Sequence, residues 1–191
     1  LDDPQSWDVA INPAGCDVAD QDKLVNLTPG LPLGTAFTYL RHECPDLEQT
    51  DGKVATQAIE LLRQHAGGDK PFFIAAGFYR PHVPDVAPKE YFDLYSPDQI
   101  KLAQASAAEI ASVLPAARTW DNEQTNFGMT EAQQKEFIHA YLAAISFLDA
   151  QVGRLLDAVS DLGLADDTII VFTSDHGFLL GEHGEWQKQS L

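Results

Sequence analysis

The chain has 191 residues, 29 of them Asp or Glu and 12 Lys or Arg, giving a formal net charge of -17. Apolar residues make up 45% and charged residues 21%, the balance of a chain that buries a core, and the length fits one domain or a piece of a larger one. The acidic excess weighs against nucleic acid or an anionic membrane as partner, since both need clustered Lys and Arg. No apolar run reaches the roughly 18 residues of a membrane-spanning helix, so no membrane insertion is expected.

The first 50 residues are rich in Pro, Gly, Asp and Asn without a sustained period, and read as loops with short extended pieces. Asn26-Leu27-Thr28 is a glycosylation triplet, meaningful only in a eukaryotic secretory host. Cys16 and Cys44 have no Cys-x-x-Cys pattern, and are too few and too far apart in sequence for a Cys-based metal site. Two readings stay open for them: unrelated buried thiols, or one disulfide stapling an irregular region.

From Val54 the pattern changes. Val54, Ala58, Leu61, Leu62 and His65 share one helical face that Gly67-Gly68 closes. Pro71 to Phe78 is a continuous apolar run, expected as a strand buried on both faces. Residues 96–129 are polar and Ala-rich with Pro97, Pro115 and Gly128, and read as a surface excursion. Thr130-Glu-Ala-Gln133 offers a capping box. Phe137, Tyr141, Ile145, Leu148, Val152, Leu155, Val159 and Leu162 then predict a long amphipathic helix ended by Gly163. Thr168 to Thr173 is β-branched and apolar, the clearest strand signal in the chain. Helix, strand, helix, strand points to an α/β fold with a parallel sheet covered by helices.

Ligands of open α/β sheets gather beyond the carboxyl ends of strands, and two polar constellations lie there. After the second strand come Ser174-Asp175-His176-Gly177 and Gly181-Glu182-His183-Gly184-Glu185-Trp186-Gln187-Lys188. After the first come Tyr79-Arg80-Pro81-His82-Val83-Pro84. A carboxylate beside an imidazole at a strand end suits half of a metal site, against the plainer reading of a turn with a solvated His. His82, held between prolines, suits positioned chemistry as well as an ordinary loop. Arg80 reads as a surface or ion-pair residue, Lys188 alone as a solvated charge, and His183 as support for its turn. His42 lacks such a setting, and His65 and His139 read as helix residues without a chemical role.

These motifs resemble the type I sulfatases of the alkaline-phosphatase-like superfamily, in particular iduronate-2-sulfatase and its bacterial relatives. The likeness runs from Asp2-Asp3-Pro-Gln-Ser-Trp7, through PFFIAAGFYRPHVPDVAPKEYFDLY at 71–95 and AISFLDAQVGRLLDAV at 144–159, to TIIVFTSDHGFLLGEHGEWQK at 168–188. It implies an alkaline-phosphatase-like three-layer sandwich with a mostly parallel sheet. Residues 1–191 would be an internal segment of a single catalytic domain, since the chain opens without Met and closes just after a dense motif.

The implied reaction is hydrolysis of a sulfate ester, on a sulfated glycan, as in glycosaminoglycan degradation. In the family, a cysteine of a Cys-x-Pro-x-Arg motif becomes formylglycine, whose hydrated form attacks sulfur before sulfate is eliminated. The resemblance casts Asp175 and His176 as metal ligands and Lys188 as the sulfate-binding lysine. His82 would contact sulfate or protonate the leaving oxygen. Calcium is the metal the family implies; an Asp-His pair alone suits zinc or manganese equally well. No Cys-x-Pro-x-Arg occurs in the chain, so the formylglycine and further metal ligands are expected upstream and the segment alone is expected to be inactive. An exported protein is implied (periplasmic or extracellular in a bacterium, lysosomal in an animal), and with it a Cys16–Cys44 bridge. A phosphoester or phosphonate hydrolase of the same superfamily, and a non-catalytic segment that binds sulfated glycans, remain as alternatives.

Overall fold

Thr130 opens the longest element of the chain. Its hydroxyl accepts from the backbone N–H of Gln133 while the Gln133 side chain accepts from the Thr130 N–H, so the capping box is complete. In this computed structural model, which describes residues 3, 5–118 and 126–188, the helix spans Glu131–Asp161. It is preceded, in chain order, by α1 (Cys16–Ala19), β1 (Val25–Asn26), β2 (Thr38–His42), α2 (Thr50–His65), β3 (Asp85–Pro88), α3 (Lys89–Phe92) and α4 (Ala107–Ser112). The long helix is α5, and β4 (Leu179–Leu180) and β5 (Trp186–Gln187) follow it.

The strands form a mixed three-stranded sheet in the order β1-β2-β3 and a separate β4-β5 hairpin. β1 runs antiparallel to β2, and β2 runs parallel to β3 with Tyr39 opposite Asp85 and His42 opposite Pro88. A parallel pair needs a long crossover, which α2 and the extended run after it supply.

The buried stripe of α5 matches the expected one at Phe137 and Val159 and differs between them. Phe137, Ala140, Ala143, Ala144, Phe147 and Gln151 are buried, whereas Ile145 is 39% exposed and Tyr141, Leu148, Val152 and Leu155 are half-buried. Small residues win the inner face because β3, α2 and α3 all pack closely there, and alanine lets backbones approach. Arg154 reinforces the α2 contact by donating to the Gly52 carbonyl at 3.2 Å and to Thr56 Oγ1 at 2.8 Å. Gly52 itself has no room for a side chain, since a Cβ would lie 1.8 Å from the Asp46 carbonyl oxygen.

A second core, built on Phe37, joins distant parts of the chain. Phe37 is fully buried and meets Phe137 edge-on at 4.8 Å and Trp186 at 5.8 Å, with Val83, Ile100 and Met129 around them. Burying one such aromatic side chain stabilises by about 1.5–3 kcal/mol. Ile100 and Met129 show that the 96–129 excursion is pinned to the body at both ends.

Two expected strands are not paired. Residues 71–79 and 168–173 are extended, but among the described residues neither makes ladder hydrogen bonds. Phe73 is 80% exposed and Ile169 92% exposed. The β-branched, apolar sequence sets the extended backbone, while burial needs paired neighbouring strands. Residues 6–13 line one cleft with 71–79, and Trp7 stacks on Phe73 at 5.7 Å, but they form no ladder with that run.

Candidate functional site

Both loops named from the sequence emerge from these extended runs, and they meet. The loop after 71–79 is clamped from below by α2. Asp51, at the start of that helix, is 2% exposed and accepts the backbone N–H groups of Tyr79 and Arg80, each at 2.9 Å. Burial pushes the Asp51 carboxyl above the ordinary carboxylate range, and the two amides and Arg80 draw it partly back. Arg80 turns inward: Nη2 donates to Asp17 Oδ2 at 2.9 Å, Nε donates to the Val86 carbonyl at 2.7 Å, and its side chain is 8% exposed. The ion pair read from the sequence is therefore present, and it is buried. Asp17 in turn accepts from the backbone and hydroxyl of Thr50.

His82 stands at the tip of this loop, exposed, between two cis peptide bonds at Arg80-Pro81 and Val83-Pro84. Its Nδ1–H donates to the Val83 carbonyl at 2.7 Å, which leaves the lone pair of Nε2 facing outward. His176 repeats the arrangement, with Nδ1–H donating to the Gly177 carbonyl at 2.8 Å. The two rings lie 6.5 Å apart. Between them sits Lys188, whose Nζ donates to His82 Nε2 at 2.9 Å and to His176 Nε2 at 3.3 Å. Asp175 Oδ2 is 3.7 Å from His176 Nε2. His82, Lys188, His176 and Asp175 thus share one small patch of surface.

The β4-β5 hairpin places Lys188. Trp186 is buried in the Phe37 core, and Gly181 at φ 106 passes so close to the Trp186 ring that a Cβ would come within 3.3 Å. Gly184, at φ 77, would set a Cβ 2.9 Å from Ile110 of α4. Glycine meets both demands. Within this loop Glu182–Gly184 forms one 3-10 turn. His183, at φ 56, points away from the patch and pairs with Glu109 of α4 at 2.9 Å, so it supports the turn.

The Asp175-His176 pair fits a divalent cation. His176 is held by a backbone carbonyl at Nδ1, which puts the ring's lone pair on Nε2, the arrangement of histidines in protein metal sites. Its carboxylate neighbour is 88% exposed. A cationic group, the Lys188 ammonium, already lies against the same nitrogen. Carboxylate and imidazole together suit calcium, manganese or zinc. Among the described residues no third His, Cys, Asp or Glu joins this pair.

Sequence reasoning missed the Asp51, Asp17 and Thr50 support of the His82 loop. It also missed Asp85, which is wholly buried in β3 with neither carboxylate oxygen hydrogen-bonded. Burial, only partly opposed by Arg80, pushes its carboxyl well above the ordinary range. His65 sits at the end of α2 with its ring 6.1 Å from Phe72, and His139 on α5 bonds the Phe92 carbonyl. Neither belongs to the patch.

A family model described as Sulfatase matches residues 10–190. The chain belongs to the sulfatase family. It is 41% identical over 160 residues to the iduronate 2-sulfatase of Homo sapiens, an alignment covering 76% of this chain and 28% of that protein. A sulfatase of Formosa agariphila is 38% identical over 135 residues, with 69% of this chain and 27% of that protein covered. The solved structure of a phosphonate monoester hydrolase from Silicibacter pomeroyi superposes with a TM-score of 0.66 at 24% identity, covering 78% of this chain and 31% of that one. The fold is alkaline-phosphatase-like α/β. The chain spans about 28% of the length of the human and 27% of the Formosa sulfatase.

Proposed function

We propose that residues 1–191 are an internal part of a single sulfatase catalytic domain that hydrolyses sulfate esters of a sulfated glycan, with iduronate-2-sulfatase-like specificity. The observation that carries the reading is the convergence of His82 Nε2, His176 Nε2 and Lys188 Nζ within 3.3 Å contacts beside Asp175. The 41% identity to human iduronate 2-sulfatase supports the choice of substrate. The apolar runs at 71–79 and 168–173, which pair with no strand among the described residues and leave Phe73 and Ile169 exposed, support the incomplete domain.

In this reading Lys188 binds the sulfate group through its ammonium and neutralises charge that grows on the transferring oxygens. His82 turns Nε2 toward the leaving oxygen and exchanges a proton with it. The Val83 carbonyl fixes that ring, and Asp51 and the Arg80–Asp17 pair hold its loop still, so little reorganisation accompanies the reaction. Asp175 and His176 would hold the divalent ion, calcium by family likeness, which would supply two positive charges against the sulfate oxygens. The nucleophile would be a formylglycine supplied outside residues 1–191, which contain no Cys-x-Pro-x-Arg. This stretch by itself would then release no sulfate. The Cys16–Cys44 bridge supports export to an oxidising compartment.

The test is a substrate panel. The full-length protein should release sulfate from a disaccharide ending in 2-sulfated iduronate faster than from choline sulfate or an aryl sulfate. A preference for either simple ester would overturn the glycan assignment, and the absence of sulfate from every substrate would overturn the sulfatase reading.

A further inference from the structure

The spacing of Cys16 and Cys44 along the chain argues against a metal site, but the fold supplies a third ligand between them. His42 ends β2, two residues before Cys44, and its ring is 5% exposed. Cys16 and Cys44 are bridged, and Cys16 Sγ lies 3.9 Å from His42 Nδ1. The ligand atoms of Cys16, His42 and Cys44 all fall within 4.8 Å of one another. Around a tetrahedral zinc, with Zn–S about 2.3 Å and Zn–N about 2.0 Å, sulfur and nitrogen lie roughly 3.5 Å apart. The observed separation is already close to that value.

The polarity of the imidazole is also set. His42 Nε2–H donates to Asp20 Oδ2 at 2.8 Å, so the lone pair belongs to Nδ1, the nitrogen facing the sulfur. A carboxylate that orients the far nitrogen is the usual support of a metal-bound histidine. Gln49 adds a further observation. It is 1% exposed, its Nε2 donates to His42 Nδ1 and to the Cys44 carbonyl, and its Oε1 is buried with no partner. Nε2 can keep the Cys44 carbonyl while releasing Nδ1, and Oε1, on the same amide, is a spare acceptor for a water completing the metal's coordination.

We infer that Cys16, Cys44 and His42 form a thiol-gated site for a soft divalent metal such as zinc, closed while the sulfurs are bridged and opened by reduction. In the opening step two thiols RSH deliver two electrons, the Cys16–Cys44 bond breaks, and the products are two protein thiols and RSSR. In the loading step the two thiols lose their protons to solvent and bind the cation as thiolates, with neutral His42 as third ligand. Excess RSSR reverses both steps and expels the metal. Thiolate ligands set this site apart from the Asp175-His176 pair, and the inference does not depend on the sulfatase reading.

Cobalt(II) is the probe, because thiolate-to-cobalt charge transfer reports sulfur ligation and intense d–d bands report a tetrahedral field. Full-length protein reduced with a phosphine should gain one equivalent of cobalt with both signatures, and zinc should displace it. Unreduced protein should show neither band. Asp20→Asn, which keeps the shape of the side chain, should weaken cobalt binding about 10–100-fold, and His42→Ala should weaken it at least as much. Circular dichroism is recorded throughout. The inference is overturned if the reduced, folded protein shows no thiolate–cobalt band or if His42→Ala binds as tightly as the parent. It is equally overturned if reduction unfolds the chain and cobalt does not restore it.

Discussion

Nζ of Lys188 lies 2.9 Å from Nε2 of His82, joining residues 106 positions apart at the exposed ends of two loops. The contact exists because each partner is anchored elsewhere. Trp186 fixes one loop in the Phe37 core, and Asp51 fixes the other through backbone amides. Both side chains are thereby left to act on whatever occupies the space between them.

Replacing the ammonium should therefore damage chemistry far more than folding. In the full-length sulfatase, Lys188→Ala is expected to lower kcat for sulfate release on the order of 100-fold or more. The thermal midpoint should barely move, because Nζ bonds only two exposed imidazoles. Turnover near the parent value with folding intact would remove the role given to Lys188.

Asp51 should behave in the opposite way. Asp51→Ala strips the acceptor from the Tyr79 and Arg80 amides and leaves both donors partly buried. A loss on the order of 3 kcal/mol is expected in urea unfolding, from hydrogen bonds to a charged group. A fall in turnover should accompany it as His82 loses its fixed position. An unchanged urea midpoint would show that the loop is held by other contacts.

Asp85 predicts a pH effect. Burial holds its folded-state pKa well above the unfolded value, so the folded protein binds that proton more tightly than the unfolded chain. The stability this gives is complete below about pH 4, the ordinary Asp range, and is lost as pH rises through the raised folded pKa. Asp85→Asn keeps the shape without the charge. It should stabilise the protein at pH 7.5 by about 1–3 kcal/mol and change little at pH 4. Thermal unfolding at the two pH values checks this; an equal shift at both would contradict it.

How far the sequence carried depends on the range of each interaction. The capping box at Thr130 and Gln133 spans three residues and was legible. His82, Asp175 and His176 do follow the two apolar runs, but those runs pair into no strand among the described residues. Arg80 and Asp17 are 63 residues apart, and Tyr79 and Asp51 are 28 apart. Nothing in local periodicity marks such pairs. On α5 the expected Phe137 and Val159 are buried, but much of the inner face belongs to alanines at 140, 143 and 144, whose small side chains carry no strong apolar signal. The runs at 71–79 and 168–173 revealed their conformation through composition, but pairing belongs to other strands and cannot be read within the run itself.

The Cys16–Cys44 bridge closes a separation of 28 residues, with Cα atoms 6.7 Å apart, inside the range a disulfide tolerates. Constraining a loop of that length is worth about 3–4 kcal/mol through the unfolded chain. Cys16→Ser with Cys44→Ser should lower stability by that order in guanidinium unfolding without reductant. A change below about 1 kcal/mol would mean that the unfolded chain is already compact in this region.

The most direct test of the account compares two reactions at one site. Full-length protein is assayed for kcat/KM on a 2-sulfated iduronate disaccharide and on a phosphonate monoester, under the same divalent-ion conditions. The account predicts that the sulfate ester is preferred and that Lys188→Ala abolishes most of that preference. A higher kcat/KM for the phosphonate monoester would contradict it and assign the patch of His82, Lys188, Asp175 and His176 to phosphonate ester hydrolysis.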